Sequence, residues 1–162
     1  MVETDVAASL RTERAVRGPV PPKVGQVTAY ELVWELRNST SDVQEARMET
    51  TLPRYVQWEA NTSANSGIIS YNQDTRQLVW DIGSITAGAG YPGGAISPRA
   101  SMQVSLQPSL SQVGSSPALT EKISFEGVDV FTGTDLRFVA DENETTLSSG
   151  VGSVASSGNV VE

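Results

Sequence analysis

Residues 27–38 read VTAYELVWELRN, and residues 78–85 read LVWDIGSI. In both stretches large apolar residues occupy every second position: Tyr30, Leu32, Trp34 and Leu36 in the first, and Leu78, Trp80 and Ile82 in the second. Because successive side chains of a β-strand point to opposite faces, this alternation predicts two half-buried strands. Large aromatic side chains suit the gap of about 10 Å between two packed sheets. We therefore expect Trp34 and Trp80 to lie in a core.

The same alternation recurs along the rest of the chain, in residues 6–10, 102–106, 123–130 and 136–140. Residues 43–51 are predicted to form a further strand that ends before Pro53, because proline cannot donate to a β-ladder. Short strands separated by turns rich in Gly, Pro, Asn and Ser are typical of an antiparallel sandwich. The predicted fold is therefore all-β, an immunoglobulin-like antiparallel β-sandwich of about 7–9 strands.

The segments between the strands carry predictions of their own. Gly127 interrupts the alternation of its strand, which indicates a β-bulge. Residues 61–67 are predicted to form a polar turn, and residues 87–99 a long loop rich in glycine and proline. From residue 143 onward the chain is mainly Ser, Gly, Thr and Val without a pattern. We therefore expect a sandwich module over residues 1–142 and a Ser/Gly-rich linker or tail over residues 143–162.

The composition excludes several classes of function. The chain has 162 residues, which fits one domain, and a net charge of -8, which disfavours nucleic acids and anionic membranes as partners. It has no cysteine and no histidine, which excludes a disulfide framework and Ser-His-Asp catalysis, and we expect no enzyme. No run approaches the ~18 apolar residues of a membrane span. The start lacks a signal-peptide pattern, so we expect either a cytosolic protein or a fragment of a longer protein, and we favour the fragment.

Three motifs, taken in order, resemble a known family. Residues 25–39 combine a glycine, a tyrosine-containing strand and an Asn-Ser turn, residues 50–56 read TTLPRYV, and residues 78–88 read LVWDIGSITAG. Together they resemble the prokaryotic surface-protein repeat known as domain of unknown function eleven, which is similar to immunoglobulin-like bacterial repeats. The resemblance implies a β-sandwich, usually in tandem within large secreted or wall-attached proteins, with structural or adhesive roles and no catalysis. Residues 90–98 depart from the family pattern as an insertion, which leaves the ligand open.

Acidic residues gather in the last predicted strands and beyond. Asp129, Asp135 and Asp141 are followed by Glu142 and Glu144. Calcium is held by several oxygen ligands at about 2.3–2.6 Å. The sequence therefore indicates a candidate calcium site formed by Asp129, Asp135 and Asp141, and calcium is the one cofactor that we consider. A solvated acidic edge is the alternative, because the spacing does not match an EF-hand.

Two aromatic residues are candidates for stacking on a glycan. Tyr91 lies in the predicted long loop, where binding residues concentrate on a rigid scaffold, and packing over the end of the sandwich is the alternative for its side chain. Trp58 follows the Leu-Pro step, and core packing is the alternative for its side chain. Asn38, Asn61 and Asn143 begin Asn-x-Ser/Thr triplets and are predicted to lie on turns, where a glycosylating host could modify them; the alternative is that Asn and Ser simply favour turn positions.

These features favour a non-catalytic structural or adhesive module of a bacterial or archaeal cell-surface protein, acting outside the cell as a spacer, stalk or surface-assembly domain. Its expected partners are neighbouring modules of the same protein or other surface proteins, and its tail links modules or docks onto an open sheet edge. The alternative is a carbohydrate-binding module, assisted by calcium. A glycosidase with paired carboxylates is a third hypothesis to which no motif points.

Overall fold

The computed structural model describes residues 4–145 and 159–162, and these residues form nine strands in two antiparallel sheets. In chain order the strands are β1 (Val6–Arg17), β2 (Thr28–Asn38), β3 (Val43–Thr51), β4 (Val56–Ala64), β5 (Ile68–Asn72), β6 (Gln77–Ile85), β7 (Arg99–Leu106), β8 (Ile123–Asp129) and β9 (Asp135–Ala140). One sheet has the order β1-β2-β7-β4, and the other has the order β5-β6-β3-β8-β9. The predicted all-β sandwich is confirmed.

The core lies between the two sheets and is filled by the alternating apolar residues. Fully buried side chains from the central strands include Tyr30, Leu32, Trp34, Leu36, Leu78 and Trp80. At the β8–β9 side of the core, Phe125 stacks on Phe138 with ring centroids 4.8 Å apart. Burying one large apolar side chain stabilises the fold by roughly 1.5–3 kcal/mol, so this alternation determines which face of each strand turns inward. The prediction for Trp34 and Trp80 is confirmed.

The sandwich has two ends, which we name after the two ends of β2. The Asn38 end carries residues 39–42, the β6–β7 loop and the β8–β9 turn. The Thr28 end carries residues 18–27, residues 52–55 and the connection from β7 to β8. The predicted long loop is confirmed, because β6 ends at Ile85 and β7 begins at Arg99.

The predicted bulge at Gly127 is misplaced. Gly127 is buried and faces inward, and β8 pairs with β9 without interruption around it. The irregularity lies on the partner strand β3, where the register shifts between Gln44 and Arg47. A Cβ atom on Gly127 would lie only 2.9 Å from Cγ1 of Val43. Gly127 therefore occupies an inward position where a side chain would collide with Val43 of the neighbouring strand. Because glycine is not apolar in the way that the pattern requires, this position interrupts the alternation in the sequence.

The predicted turn over residues 61–67 is too long. Strand β4 continues to Ala64, which pairs with Ala100 of β7, and only residues 65–67 lead into β5. The end of β4 lacks apolar alternation because β4 is an edge strand, and its residues 61–63 are exposed to solvent. Polarity here marks the edge of a sheet, where side chains can stay in water, and not the end of the strand.

Candidate functional site

A buried polar cluster at the Asn38 end is centred on Asp129, the last residue of β8. One carboxylate oxygen accepts the backbone N–H of Thr4 at 2.8 Å, and the other accepts the Ser41 hydroxyl at 2.8 Å. The N–H groups of Phe131 and Thr132 donate to that second oxygen at 2.8 and 3.2 Å. The Thr4 N–H is the main cause that lowers the pKa of Asp129 to about 2; burial opposes this shift and the other donors support it.

Asn38 completes this polar cluster and is fully buried. Its amide oxygen accepts the Thr4 hydroxyl at 2.6 Å, and its amide nitrogen donates to the carbonyls of Ser41 at 2.7 Å and Ile85 at 3.1 Å. The cluster thus ties the N-terminal segment to the β2–β3 turn and to the end of β6. The prediction that Asn38 lies on a modifiable turn is wrong, since its side-chain nitrogen is enclosed and hydrogen-bonded.

The predicted calcium site is not assembled. Asp135 is the first residue of β9 and pairs with Val128, whereas Asp141 follows Ala140 at the other end of that strand. Six residues of extended chain separate the two carboxylates by about 20 Å. Asp129 lies near Asp135, but its oxygens already accept hydrogen bonds from neutral donors. Over residues 4–145 and 159–162, no three acidic side chains are grouped to hold a metal ion.

Trp58 lies on β4 and is half-buried, packed against the edge of the core. Its ring stacks on that of Tyr71 from β5, with centroids 5.1 Å apart and an interplanar angle of 24°. The two rings line an open groove of about 730 Å³ between the edges of the two sheets, together with polar side chains that include Gln57 and Asp74. Each ring covers one face of the other, so only part of each aromatic surface faces the groove.

Tyr91 lies in the β6–β7 loop and is 40% exposed, with the Arg37 guanidinium 5.8 Å from its ring centroid. This loop belongs to the Asn38 end, because the Ala89 carbonyl accepts the N–H of Asn38. Trp58, by contrast, pairs with Val104 in the half of its sheet nearer the Thr28 end. The structure therefore does not bring the two predicted ligand-binding aromatics together.

Residues 143–145, predicted as the start of the tail, are built into the sandwich. The Trp34 indole N–H donates to the side-chain oxygen of Asn143 at 3.0 Å, and both groups are buried. The backbone N–H of Asn143 donates to the Thr120 hydroxyl at 3.0 Å, and the Thr145 N–H donates to the Pro117 carbonyl at 3.2 Å. Asn143 therefore holds a structural position, which its Asn-x-Thr triplet does not reveal. The rest of the predicted tail, residues 146–158, lies outside the described residues.

Residues 159–161 lie at the Thr28 end between two other backbone segments. The N–H of Val161 donates to the Pro22 carbonyl, and the N–H of Val24 donates to the Val161 carbonyl, both at 2.9 Å. On the other side, Val160 donates to Ser115 at 2.9 Å and accepts from Gly114 at 3.0 Å. We call the space between residues 22–24 and 113–115 the tail slot. The Val160 side chain is 2% exposed, so the slot encloses it.

Exposed apolar side chains are concentrated at the two ends of the sandwich. Among the described residues, twelve large hydrophobic side chains are exposed, of which six lie at the Thr28 end and four at the Asn38 end. The first group is Val20, Val27, Tyr55, Leu110, Val113 and Val161, and the second is Tyr91, Ile96, Val130 and Phe131. The sheet faces are mostly polar outside, so the ends are the surfaces best suited to contact another protein.

No protein-family model matches the chain, and neither does any curated protein. Within residues 4–145 and 159–162, no helix is long and apolar enough to cross a membrane. The fold is similar to part of the structure of the three N-terminal domains of the type V pili tip protein Mfa5 from Porphyromonas gingivalis, with a TM-score of 0.52 and 7% identity over 69% of this chain.

Two further structures match over most of this chain with TM-scores below 0.5. One is the full-length major pilin SpaD from Corynebacterium diphtheriae, with a TM-score of 0.46 and 12% identity over 85% of this chain. The other is an exo β-N-acetylglucosaminidase from Vibrio harveyi, with a TM-score of 0.40 and 12% identity over 86% of this chain. The chain spans only 23%, 35% and 18% of the Mfa5, SpaD and hydrolase chains. At 7% identity the likeness to Mfa5 shows a similar fold and nothing more, because one fold serves many functions.

Proposed function

We propose that this chain is a non-catalytic structural module of a bacterial or archaeal cell-surface protein, where it acts as a spacer between neighbouring modules. One observation carries the proposal. Thr4 lies at the Asn38 end of the sandwich, and Val161 lies at the Thr28 end. A domain that the chain enters at one end and leaves at the other holds its covalent neighbours on a line, at a distance set by the length of its strands.

The length of β2 gives that distance. Its 11 residues correspond to about 35 Å of extended chain from one end to the other. A row of such modules would project a binding partner away from the cell by this increment per module. The spacing is stiff, since Trp34 and the other central side chains pack the two sheets against each other without leaving the strands free to slide.

The pairing of β1 with β2 suits a module under tension. β1 follows β2 antiparallel from Val6 opposite Asn38 to Arg17 opposite Ala29. Antiparallel ladder hydrogen bonds run perpendicular to the strands. A force along the strand axis therefore loads many of these bonds at the same time, whereas a force across the strands breaks them one after another.

The exposed apolar side chains at the two ends support contacts with neighbours placed in series. The likeness to Mfa5, a pili tip protein, agrees with a cell-surface location and with assembly alongside other modules. Membership of the family known as domain of unknown function eleven is part of this proposal and rests on the three sequence motifs. An adhesive role for the same module would use the loops at one of the ends.

Single-molecule pulling tests the mechanical part of the proposal. The chain has no cysteine, so introduced cysteines define the points of attachment. The test variant carries Asp5→Cys and Glu162→Cys, which pull along the strands. The matched control carries Asp5→Cys and Thr40→Cys, which pull apart the adjacent ends of β1 and β2. We expect a clearly higher unfolding force along the strands, and equal forces in the two directions would refute a load-bearing role.

The location of the protein is tested separately. Fab fragments raised against the purified domain should label intact cells of the source organism as strongly as permeabilised cells. Labelling that requires permeabilisation would exclude a cell-surface module, whatever the pulling experiment shows.

A carbohydrate-binding module is the second candidate, and the groove beside Trp58 and Tyr71 is the observation that favours it. Aromatic faces flanked by amide and carboxylate groups such as Gln57 and Asp74 are suited to sugar rings. Titration with a panel of oligosaccharides, followed by tryptophan fluorescence, tests this role. A change in fluorescence that disappears in the Tyr71→Ala variant would support carbohydrate binding. No change with any oligosaccharide of the panel would exclude binding of those sugars.

A further inference from the structure

The tail slot holds residues 159–161 mainly through the backbone. Four N–H to carbonyl bonds of 2.9–3.0 Å connect the segment to residues 22–24 on one side and residues 113–115 on the other. The pairing with Lys23 is parallel. Only Val160 adds a buried side chain. Backbone pairing of this kind is the basis of recognition by strand addition, in which an extended segment completes an open edge.

The covalent connection to the slot is much longer than the distance it must cover. Thr145 is bonded to Pro117 and Val160 to Ser115, so the two anchor points on the sandwich are only two residues apart, at most about 7 Å along the chain. Between the anchored residues lie the 13 residues 146–158, and the path from Thr145 to Asn159 can span about 45–50 Å when extended. That reach exceeds the length of the sandwich itself.

We propose that the tail slot also accepts residues 159–161 of a second copy of this chain. The slot and the point where the tail leaves the sandwich are both at the Thr28 end, since Thr145 and Val160 bond to neighbouring residues there. Two copies that exchange tails therefore meet through their Thr28 ends and fill each other's slots. The product is a closed, two-fold dimer in which no slot is left open for a third copy.

The contacts are the same whether the tail comes from its own chain or from the partner. The balance is therefore set by concentration, because a covalently attached tail competes at an effective concentration that depends on the length of its connection. Exchange is then a minor event in dilute solution and becomes dominant where copies are crowded together. The exposed Val20, Val113 and Val161 around the slot would be covered in the dimer. This inference does not depend on the cell-surface role.

Disulfide trapping detects such exchange even when it is rare. One chain carries Lys23→Cys, the other carries Val161→Cys, and the two purified proteins are mixed under mild oxidation. Directly paired strand residues lie within the Cα separation of about 4.4–6.8 Å that a disulfide requires. Both positions are exposed, so the substitutions leave the fold intact. The matched control replaces Lys23→Cys by Lys122→Cys, which places a thiol at the other exposed lysine, outside the slot.

We expect the 23–161 heterodimer to form at least about tenfold faster than the 122–161 heterodimer, because docking of the tail raises the local thiol concentration. Removing residues 159–162 from the Lys23→Cys chain empties its slot and should increase the rate further. Adding Val160→Asp to the tail donor should reduce the rate to that of the control. Equal rates for the two lysine positions, or no gain from the emptied slot, would overturn the proposal.

Discussion

The hydrogen bond between Trp34 and Asn143 allows a direct test of where the folded module ends. The perturbation is Asn143→Leu, which keeps a side chain of similar size and removes the acceptor of the buried indole N–H. A tail residue would tolerate this change, and a residue built into the core would not. The substitution therefore distinguishes a module that stops before residue 143 from one that includes it.

The expected loss follows from the burial of both partners. Trp34 is fully buried and Asn143 is 3% exposed, so water cannot replace the lost acceptor. Leaving one buried donor unpaired costs about 1–3 kcal/mol of unfolding free energy. For a chain of this size, a loss of about 2 kcal/mol lowers the melting midpoint by roughly 4–8 °C.

Urea denaturation with tryptophan fluorescence measures the effect, and a double-mutant cycle assigns it to this bond. In a Trp34→Phe background no indole N–H remains, so Asn143→Leu should cost at least about 1 kcal/mol less than in the wild-type chain. Asn61→Leu is the matched control, since Asn61 begins an equivalent triplet but is exposed on β4, and it should change stability by less than about 0.5 kcal/mol. Equal losses at residues 61 and 143, or no coupling with residue 34, would refute the reasoning.

Three further predictions follow from the cluster around Asp129 and from the β3–β8 contact. The folded-state pKa of Asp129 is lowered from 3.8 to about 2, so its ionised form stabilises the fold above pH 4, and this contribution should be lost as the pH falls from 4 to 2. An Asp129→Asn variant should be less stable at neutral pH, and its melting midpoint should change less than that of the wild-type chain over the same pH range. Gly127→Ala should cost about 1–3 kcal/mol in a urea melt, since the new methyl group would crowd Val43, and a neutral result would contradict the close packing. Calcium should leave the melting midpoint unchanged relative to excess chelator, whereas a calcium-dependent increase would restore the acidic residues as ligands.

The alternation of apolar and polar residues was sufficient to predict the fold, because every central strand of a sandwich has one face in the core and one face in solvent. Tyr30, Leu32, Trp34 and Leu36 occupy the inward positions that the pattern indicated. The same reasoning failed at the edge strand β4, where solvent on one side removes the requirement for apolar residues. It also failed at Gly127, because this inward position carries no apolar side chain and Val43 of the neighbouring strand lies beside it instead.

The polar positions were harder to predict, since their partners are distant in sequence. Asp129 accepts from Thr4 across 125 residues, and Asn143 accepts from Trp34 across 109. An isolated Asp or Asn at a strand end is typical of an ordinary turn, and no local pattern separates that use from a long-range bond. The acidic residues near the last strand are close together in the sequence, but an extended strand holds the side chains of Asp135 and Asp141 apart, so they form no metal site.

Thr4 and residues 159–161 are attached to the sandwich by different interactions, and the difference bears on function. At the Asn38 end, Thr4 is held by specific side chains, Asn38 and Asp129, which are buried and accept or donate in fixed directions. The bond to Asn38 requires a hydroxyl group at position 4, so this attachment depends on the identity of that residue. At the Thr28 end, the bonds to residues 159–161 join backbone groups, and within this segment the Val160 side chain is the buried one. A module that is fixed at one end and exchangeable at the other can stay in line with its neighbours and still connect to a second copy.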